Sequence, residues 1–273
     1  MSLTSGLFNS GLFKGGLFNG GLFKNIYEWS PASLFSAGEQ GAWYDPSDLS
    51  TLFQDAAGTT PVTTTGQSVR KILDKSGNGN HATAPSDAAR PVLQIDGNGK
   101  YYLYFDGVDD CLTTTLFNLG SSYSMHVGWS VDLVTTGDRT LFAQRSKVSP
   151  NPMRASLDIS AANHRFYDRN DAGTVVTGLV YSVSADTKYV TTAQSKPEEQ
   201  ILRVDGVLRY SQSKTLGVTT LTDNSIGRAE VAAPVSYFKG KLYGMILRSA
   251  YSTSKEILKV EAYIADKIGV VLS

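Results

Sequence analysis

From Gly41 to Arg248 short apolar runs, rich in β-branched and aromatic residues, are punctuated by glycine, asparagine, aspartate and serine. That rhythm predicts a series of strands separated by turns. The first are Val69–Leu73, Tyr101–Phe105, Cys111–Thr115 and Ser124–Val134. Leu141–Gln144, Ala155–Ile159, Arg165–Tyr167 and Val175–Val180 continue the series, followed by Lys188–Ala193, Gln200–Val204, Val207–Ser211 and Lys241–Arg248. Asp205-Gly206, between two of these runs, is a two-residue hairpin signal. Ser76-Gly77-Asn78-Gly79-Asn80 and Asp106-Gly107 mark further turns. The period changes once near the end. Ile257, Leu258, Val260, Glu261, Tyr263, Ile264 and Ile268 are spaced for one face of a helix over 255–268, with Ser252 or Ser254 as N-cap and Gly269 at its stop. A second, short helix is expected over 48–57. The pattern is therefore all-β up to this C-terminal helix.

The first 25 residues obey neither period. Gly6-Leu7-Phe8-Asn9-Ser10 is followed by Gly11-Leu12-Phe13-Lys14-Gly15, Gly16-Leu17-Phe18-Asn19-Gly20 and Gly21-Leu22-Phe23-Lys24-Asn25. On a helix a five-residue repeat would turn the Leu-Phe pair by about 140° each time, so apolar side chains would encircle the rod. On a strand an odd period flips the pair to the other face. A glycine in every repeat disfavours helix by about 1 kcal/mol each. The segment is expected to be extended, with a turn per repeat, displaying Leu7, Phe8, Leu12, Phe13, Leu17, Phe18, Leu22 and Phe23 to a partner or to copies of itself. One coil of a four-sided β-helix would need the same help, since a lone coil has nothing to stack upon. A flexible leader would expose these pairs to water, unlike the polar composition usual for such leaders. Residues 1–40 are expected to be a docking segment and linker, and residues 41–273 the all-β domain.

Composition narrows the function. Lysine plus arginine and aspartate plus glutamate number 25 each, and this balance argues against nonspecific nucleic-acid binding. Cys111 is the sole cysteine, which excludes an intramolecular disulfide and a cysteine metal cluster. No stretch has the length of a membrane span. The N-terminus lacks the basic start and unbroken apolar run of a secretory signal, so Sec-type export is not expected.

Two stretches carry a resemblance. Ala42-Trp43-Tyr44-Asp45-Pro46-Ser47-Asp48-Leu49-Ser50-Thr51-Leu52-Phe53-Gln54-Asp55, Asp74-Lys75-Ser76-Gly77-Asn78-Gly79-Asn80-His81-Ala82, Arg90-Pro91 and Tyr104-Phe105-Asp106-Gly107-Val108-Asp109-Asp110 form the first. Ile201–Val207, Phe238–Gly244 and the segment ending Ala262-Tyr263-Ile264-Ala265-Asp266-Lys267-Ile268-Gly269 form the second. Both resemble the concanavalin A-like (laminin G-like) jelly-roll domains of bacteriophage structural proteins. The resemblance implies that residues 41–273 form an antiparallel two-sheet jelly-roll sandwich, used in a virion fibre, spike or capsid decoration. It leaves function open, because this sandwich hosts many unrelated activities.

Catalytic patterns are sparse. The paired carboxylates of the glucanases that share this fold do not occur at the required spacing, and there is no Gly-x-Ser-x-Gly elbow. His81, His126 and His164 are scattered and read as structural. Asp106, Asp109 and Asp110 crowd one turn, a candidate calcium site, although such side chains also cap their own turns. Asp74, Ser76 and Asn78 begin like an EF-hand loop, but its twelfth position is Pro85. Tyr167, Asp168, Arg169 and Asn170 have the composition of a loop-tip glycan contact or of an ordinary polar turn. The sequence thus predicts a noncatalytic virion protein, held to other virion proteins and to its own copies by the repeat. Host-surface glycan is its candidate ligand and calcium its candidate ion, with no role in nucleic-acid binding or membrane insertion. A ligand-free capsid cement or collar component is the alternative, and a glycan-cleaving enzyme a remote one.

Overall fold

A computed structural model describes residues 29–115, 117–132, 137–145, 153–160, 162–169, 175–214, 223–229 and 236–273. The repeat and its eight Leu-Phe side chains lie outside the described residues. The strands in chain order are β1 (Gly41–Tyr44), β2 (Leu52–Phe53), β3 (Lys71–Ile72), β4 (Ala82–Thr83), β5 (Val92–Ile95) and β6 (Tyr101–Asp106). Then follow β7 (Leu112–Thr114), β8 (Tyr123–Val131), β9 (Asp138–Arg145), β10 (Met153–Ser160), β11 (Asn163–Arg169) and β12 (Val175–Ser182). The last are β13 (Lys188–Lys196), β14 (Glu199–Val204), β15 (Val207–Ser213), β16 (Asp223–Ile226) and β17 (Lys239–Arg248), before helix α1 (Ser254–Ile268).

The strands form two antiparallel sheets. One runs β15-β14-β13-β8-β17-β6-β5, the other β12-β11-β10-β9-β16-β7-β4-β3-β2. β17 is ten residues long, and β6 and β1 pair with it end to end along the edge away from β8. The hairpin expected at Asp205-Gly206 joins β14 to β15, with both turn residues at positive φ (52° and 82°). That geometry matches the strand twist of a two-residue hairpin.

β8 shows how the layers are specified. Tyr123, Met125, Val127, Trp129 and Val131 enter the core between the sheets, while Ser124, His126, Gly128 and Ser130 take the opposite face. All nine residues are buried, because α1 covers that second face across β8, β13 and β17. A Cβ at Gly128 would come within 2.7 Å of Ile264 and 2.9 Å of Ile268, so the absent side chain is what lets the helix approach. Ile257, Val260, Ile264, Ala265 and Ile268 of α1 are buried there, most of them in a second core with Trp43, Val190, Tyr243 and Ile246.

The helix begins with Thr253 rather than either expected serine. Its hydroxyl accepts from Glu256 N while the Glu256 carboxylate accepts from Thr253 N, a capping box. Gly269 ends the helix at φ 73°, as expected. Leu258 does not join the apolar face: it is 64% exposed. The helix expected over 48–57 is instead a 3-10 turn at Leu49–Thr51 followed by β2. Asp55 accepts backbone N–H groups from Gly58, Thr59 and Thr60, and this local turn competes with a helix. Residues 29–40, expected as linker, belong to the packed body. Leu34 and Phe35 enter the second core, and Glu39 pairs with Arg248 at 2.7 Å.

Candidate functional site

The motifs that carried the resemblance build structure. Asp74 accepts from Trp43 N and Ser76 N on one oxygen and from Asn80 N and Ser76 Oγ on the other. Asn78 and Asn80 donate their side-chain amides to the Gly41 carbonyl, so the turn fastens β1. Asp45 is buried and accepts from Lys75, Lys267 and Tyr263. Burial alone would raise its carboxyl, but the Ser47 hydrogen bonds and the two lysines outweigh that and hold it at about 2. This clamp fixes the C-terminal half of α1, and Trp29 packs edge-on against Tyr263 beside it.

Asp106, Asp109 and Asp110 do meet: one carboxylate oxygen of each lies within 4.8 Å of the others. Asp106 Oδ1 accepts from Val108 N and Asp109 N, and Asp110 Oδ2 accepts from Asp106 N, so the described bonds are those of a self-capped turn. Burial and the charges of Asp106 and Asp109 push the Asp110 carboxyl up to about 6. The three could offer oxygens to a hard cation.

The proposed glycan contact at Tyr167–Asn170 is corrected. Tyr167, Asp168 and Arg169 belong to strand β11, not to a loop tip, and Asn170 lies outside the described residues. Asp168 is fully buried between the sheets, where it accepts from Tyr123, Ser195 and Lys214. No saccharide reaches a carboxylate so placed. Its partners come from β8, β13 and the residue after β15, which no local sequence signal connects.

The histidines stay apart. His126 lies between Thr192 Oγ1 at 2.9 Å and Ser252 Oγ at 3.3 Å, and burial followed by the Arg248 charge drives it down to about 3. His164 packs against Trp129 with the rings tilted by 44°, and burial lowers it to about 4. His81 accepts from Asp74 N.

An open cleft of about 370 Å³ was missed by sequence reasoning. It lies on the outer face of β13, β14 and β15, beside the first turn of α1. Ile201, Leu208 and Ile257 give it an apolar floor; Glu199, Tyr251 and Arg203 give it a polar wall. Such a mixture, at the small end of the ~300–1,000 Å³ usual for ligand sites, is what small-molecule recognition employs. Glu199 accepts from Tyr251 Oη at 2.9 Å, Lys196 Nζ at 3.1 Å and Ser211 Oγ at 3.3 Å. The Lys196 and Tyr251 bonds hold the Glu199 carboxyl below its ordinary range, while burial and Glu199 push the Tyr251 phenol up. Gln194 also lines the cleft and is fully buried. Its Oε1 accepts from Ser252 N and Ser124 Oγ, while its Nε2 has no hydrogen-bond partner among the described residues. A buried donor left unpaired costs about 1–3 kcal/mol. The signal for this site was present in Asp205-Gly206, which fixes β15 beside β14, but the residues that converge span 194–257.

No protein-family model matches the sequence, and no curated protein matches it. Solved structures do match in fold. The receptor binding domain of botulinum neurotoxin type G is 12% identical with a TM-score of 0.55, over 72% of this chain and 48% of that one. The receptor binding domain of the C/D mosaic serotype is 14% identical with a TM-score of 0.56, over 70% and 48%. The serotype D binding domain is 15% identical with a TM-score of 0.54, over 70% and 49%. The chain spans about half the length of these structures. At such identities the likeness establishes the β-sandwich and nothing finer.

Proposed function

We propose that this chain is a noncatalytic attachment protein: a bacteriophage fibre, spike or capsid decoration that docks through its N-terminal repeat and presents the sandwich for binding, with host-surface glycan as the candidate ligand. The observation that carries the reading is the run of four Gly-Leu-Phe pentads. Each large apolar side chain contributes roughly 1.5–3 kcal/mol when fully buried. Their burial works against the ordering cost of an extended segment, so the repeat gains from docking only where its Leu-Phe pairs find cover on a neighbour.

The body supports this division of labour. Trp29, just after the repeat, is held against Tyr263 and lies under Lys259, so the tether leaves from a fixed point on α1. The open cleft lies on the other side of that helix, over β13–β15. Repeated apolar pairs also call for repeated partners, which favours self-association. The sandwich fold is one that the neurotoxin receptor-binding domains also use.

The test is replacement of Phe8, Phe13, Phe18 and Phe23 by serine. The variant is expected to keep the thermal melting of the unaltered protein and to be lost from purified particles. Incorporation at the normal level would overturn the docking role.

A further inference from the structure

We propose that in the free chain the cleft over β13–β15 is covered by the chain's own last pentad, with Leu22 and Phe23 lying on Ile201, Leu208 and Ile257. Docking of the leader on a neighbour then withdraws the pair and opens the cleft, because one pair cannot cover both surfaces. The opening step rests on the docking role proposed above. The covering contact does not, and it can be read on the isolated chain.

The cleft offers the cover that the pairs lack. Leu208 is 51% exposed on a strand, beside the buried Ile201 and Ile257. The charges at its wall are already matched: Glu261 holds Arg203 at 2.8 and 3.0 Å, and Lys196 reaches Glu199 at 3.1 Å. What remains uncovered there is apolar surface.

The anchor sets the reach. Trp29 packs edge-on against Tyr263 and lies under Lys259, on the flank of α1 away from the cleft. Phe23 precedes Trp29 by six residues, which span ~20 Å when extended. A helix with its side chains is about 10–12 Å across, so the pair reaches over α1 to the cleft. The crossing itself is marked. Successive helical residues turn by about 100°, and Lys259, Leu258 and Ile257 step round α1 from Trp29 to the cleft. The middle one, Leu258, is 64% exposed, and the apolar Ile26 and Tyr27 fall at that distance from the anchor. A tether this short holds its end at an effective concentration of roughly millimolar, above that of a second copy in dilute solution. The earlier pairs sit on longer tethers, where that advantage falls.

The test is disulfide trapping in the full chain. Lys24→Cys stands beside the pair without removing it, and Ser211→Cys places a thiol on the exposed rim of the cleft; the native Cys111 is buried. Under mild oxidation at low micromolar protein, a bond between positions 24 and 211 of one chain is expected, read by non-reducing gel and peptide mapping. It should form at least about tenfold faster than in a control that joins Lys24→Cys to Val108→Cys, an exposed site in the turn after β6. Adding Leu22→Ser and Phe23→Ser should erase that advantage. Equal rates at the two sites, a rate untouched by the serines, or bonds formed mainly between copies would overturn the proposal, the last by giving the cleft to a second copy. Incorporation into particles is read separately with the phenylalanine variant, so either result can fail while the other stands.

Discussion

Two buried polar assemblies hold this sandwich, and they are built in opposite ways. The clamp around β1 is seeded by local turn bonds: Asp74 accepts from Ser76 and Asn80, two and six residues on, and the same carboxylate then takes Trp43 N of β1. Its outer member, Asp45, then reaches across to Lys267 and Tyr263 on α1. The cluster at Asp168 has no local component. Its partners Tyr123, Ser195 and Lys214 lie 45, 27 and 46 residues away, and they tie β11 in one sheet to β8 and β13 in the other. The clamp keeps a partly solvated rim, with Lys75 and Lys267 about a fifth exposed, whereas the Asp168–Lys214 pair is closed to water. Local turn chemistry can be repaired by solvent; a closed charge pair cannot.

The largest expected effect follows from that closure. Asp168→Leu or Lys214→Met alone leaves one buried charge uncompensated and should lower stability by about 3–5 kcal/mol. The double variant should recover most of the loss, since a closed ion pair often contributes little more than an apolar replacement. Urea denaturation of the four proteins forms the cycle. A single variant costing under about 1 kcal/mol would mean that solvent reaches the pair, and the contrast between the assemblies would fail.

The clamp should show a smaller effect and a pH signature. Asp45 is held at about 2, below its ordinary carboxylate value. A depressed folded-state value contributes stability that is fully present above the unfolded value near 4, and is lost as pH falls through about 2. Asp45→Asn should therefore cost about 2 kcal/mol at pH 7 and much less at pH 2. Lys75→Met should cost less than Asp45→Asn at pH 7, because Lys267 and Tyr263 remain. Equal loss at both pH values would show that packing around Asp45, and not its charge, holds the helix.

The same contrast explains what could be read from sequence. The all-β series, the Asp205-Gly206 hairpin, the C-terminal helix and its Gly269 stop were legible because each is written in a period or in a turn of a few residues, whereas the pairing of the strands into two sheets followed only from the resemblance. Thr253 was passed over as N-cap for its serine neighbours, although Glu256 three residues on completes the box. Leu258 was placed on the apolar face by type alone, one residue out of phase with Ile257 and Val260–Glu261. Asp168 was misread because composition makes Tyr-Asp-Arg-Asn look like a turn, and only the sheet-to-sheet pairing with Lys214 reveals a strand interior. The cleft was illegible for the same reason: Gln194, Glu199 and Ser252 meet only once β13, β14 and α1 have packed.

The smallest effect concerns a turn that belongs to neither assembly and sharpens the comparison by its sign. Asp110 is buried beside Asp106 and Asp109, and its carboxyl is pushed up to about 6. Between roughly pH 4 and 6 the folded state then holds a proton that the unfolded chain has released, so stability falls as pH rises through that window and stays lower above it. Asp110→Asn removes this penalty while keeping an oxygen to accept from Asp106 N. It should raise stability at pH 7.5 by about 1–2 kcal/mol and flatten the dependence between pH 4 and 6. Calcium provides the second arm. With Asp106 Oδ1 and Asp110 Oδ2 already accepting backbone N–H groups, millimolar calcium should leave the melting of both proteins unchanged. A calcium-dependent rise in the unaltered protein that disappears in Asp110→Asn would instead make this turn a cation site, with the like charges that destabilise it serving as its ligands.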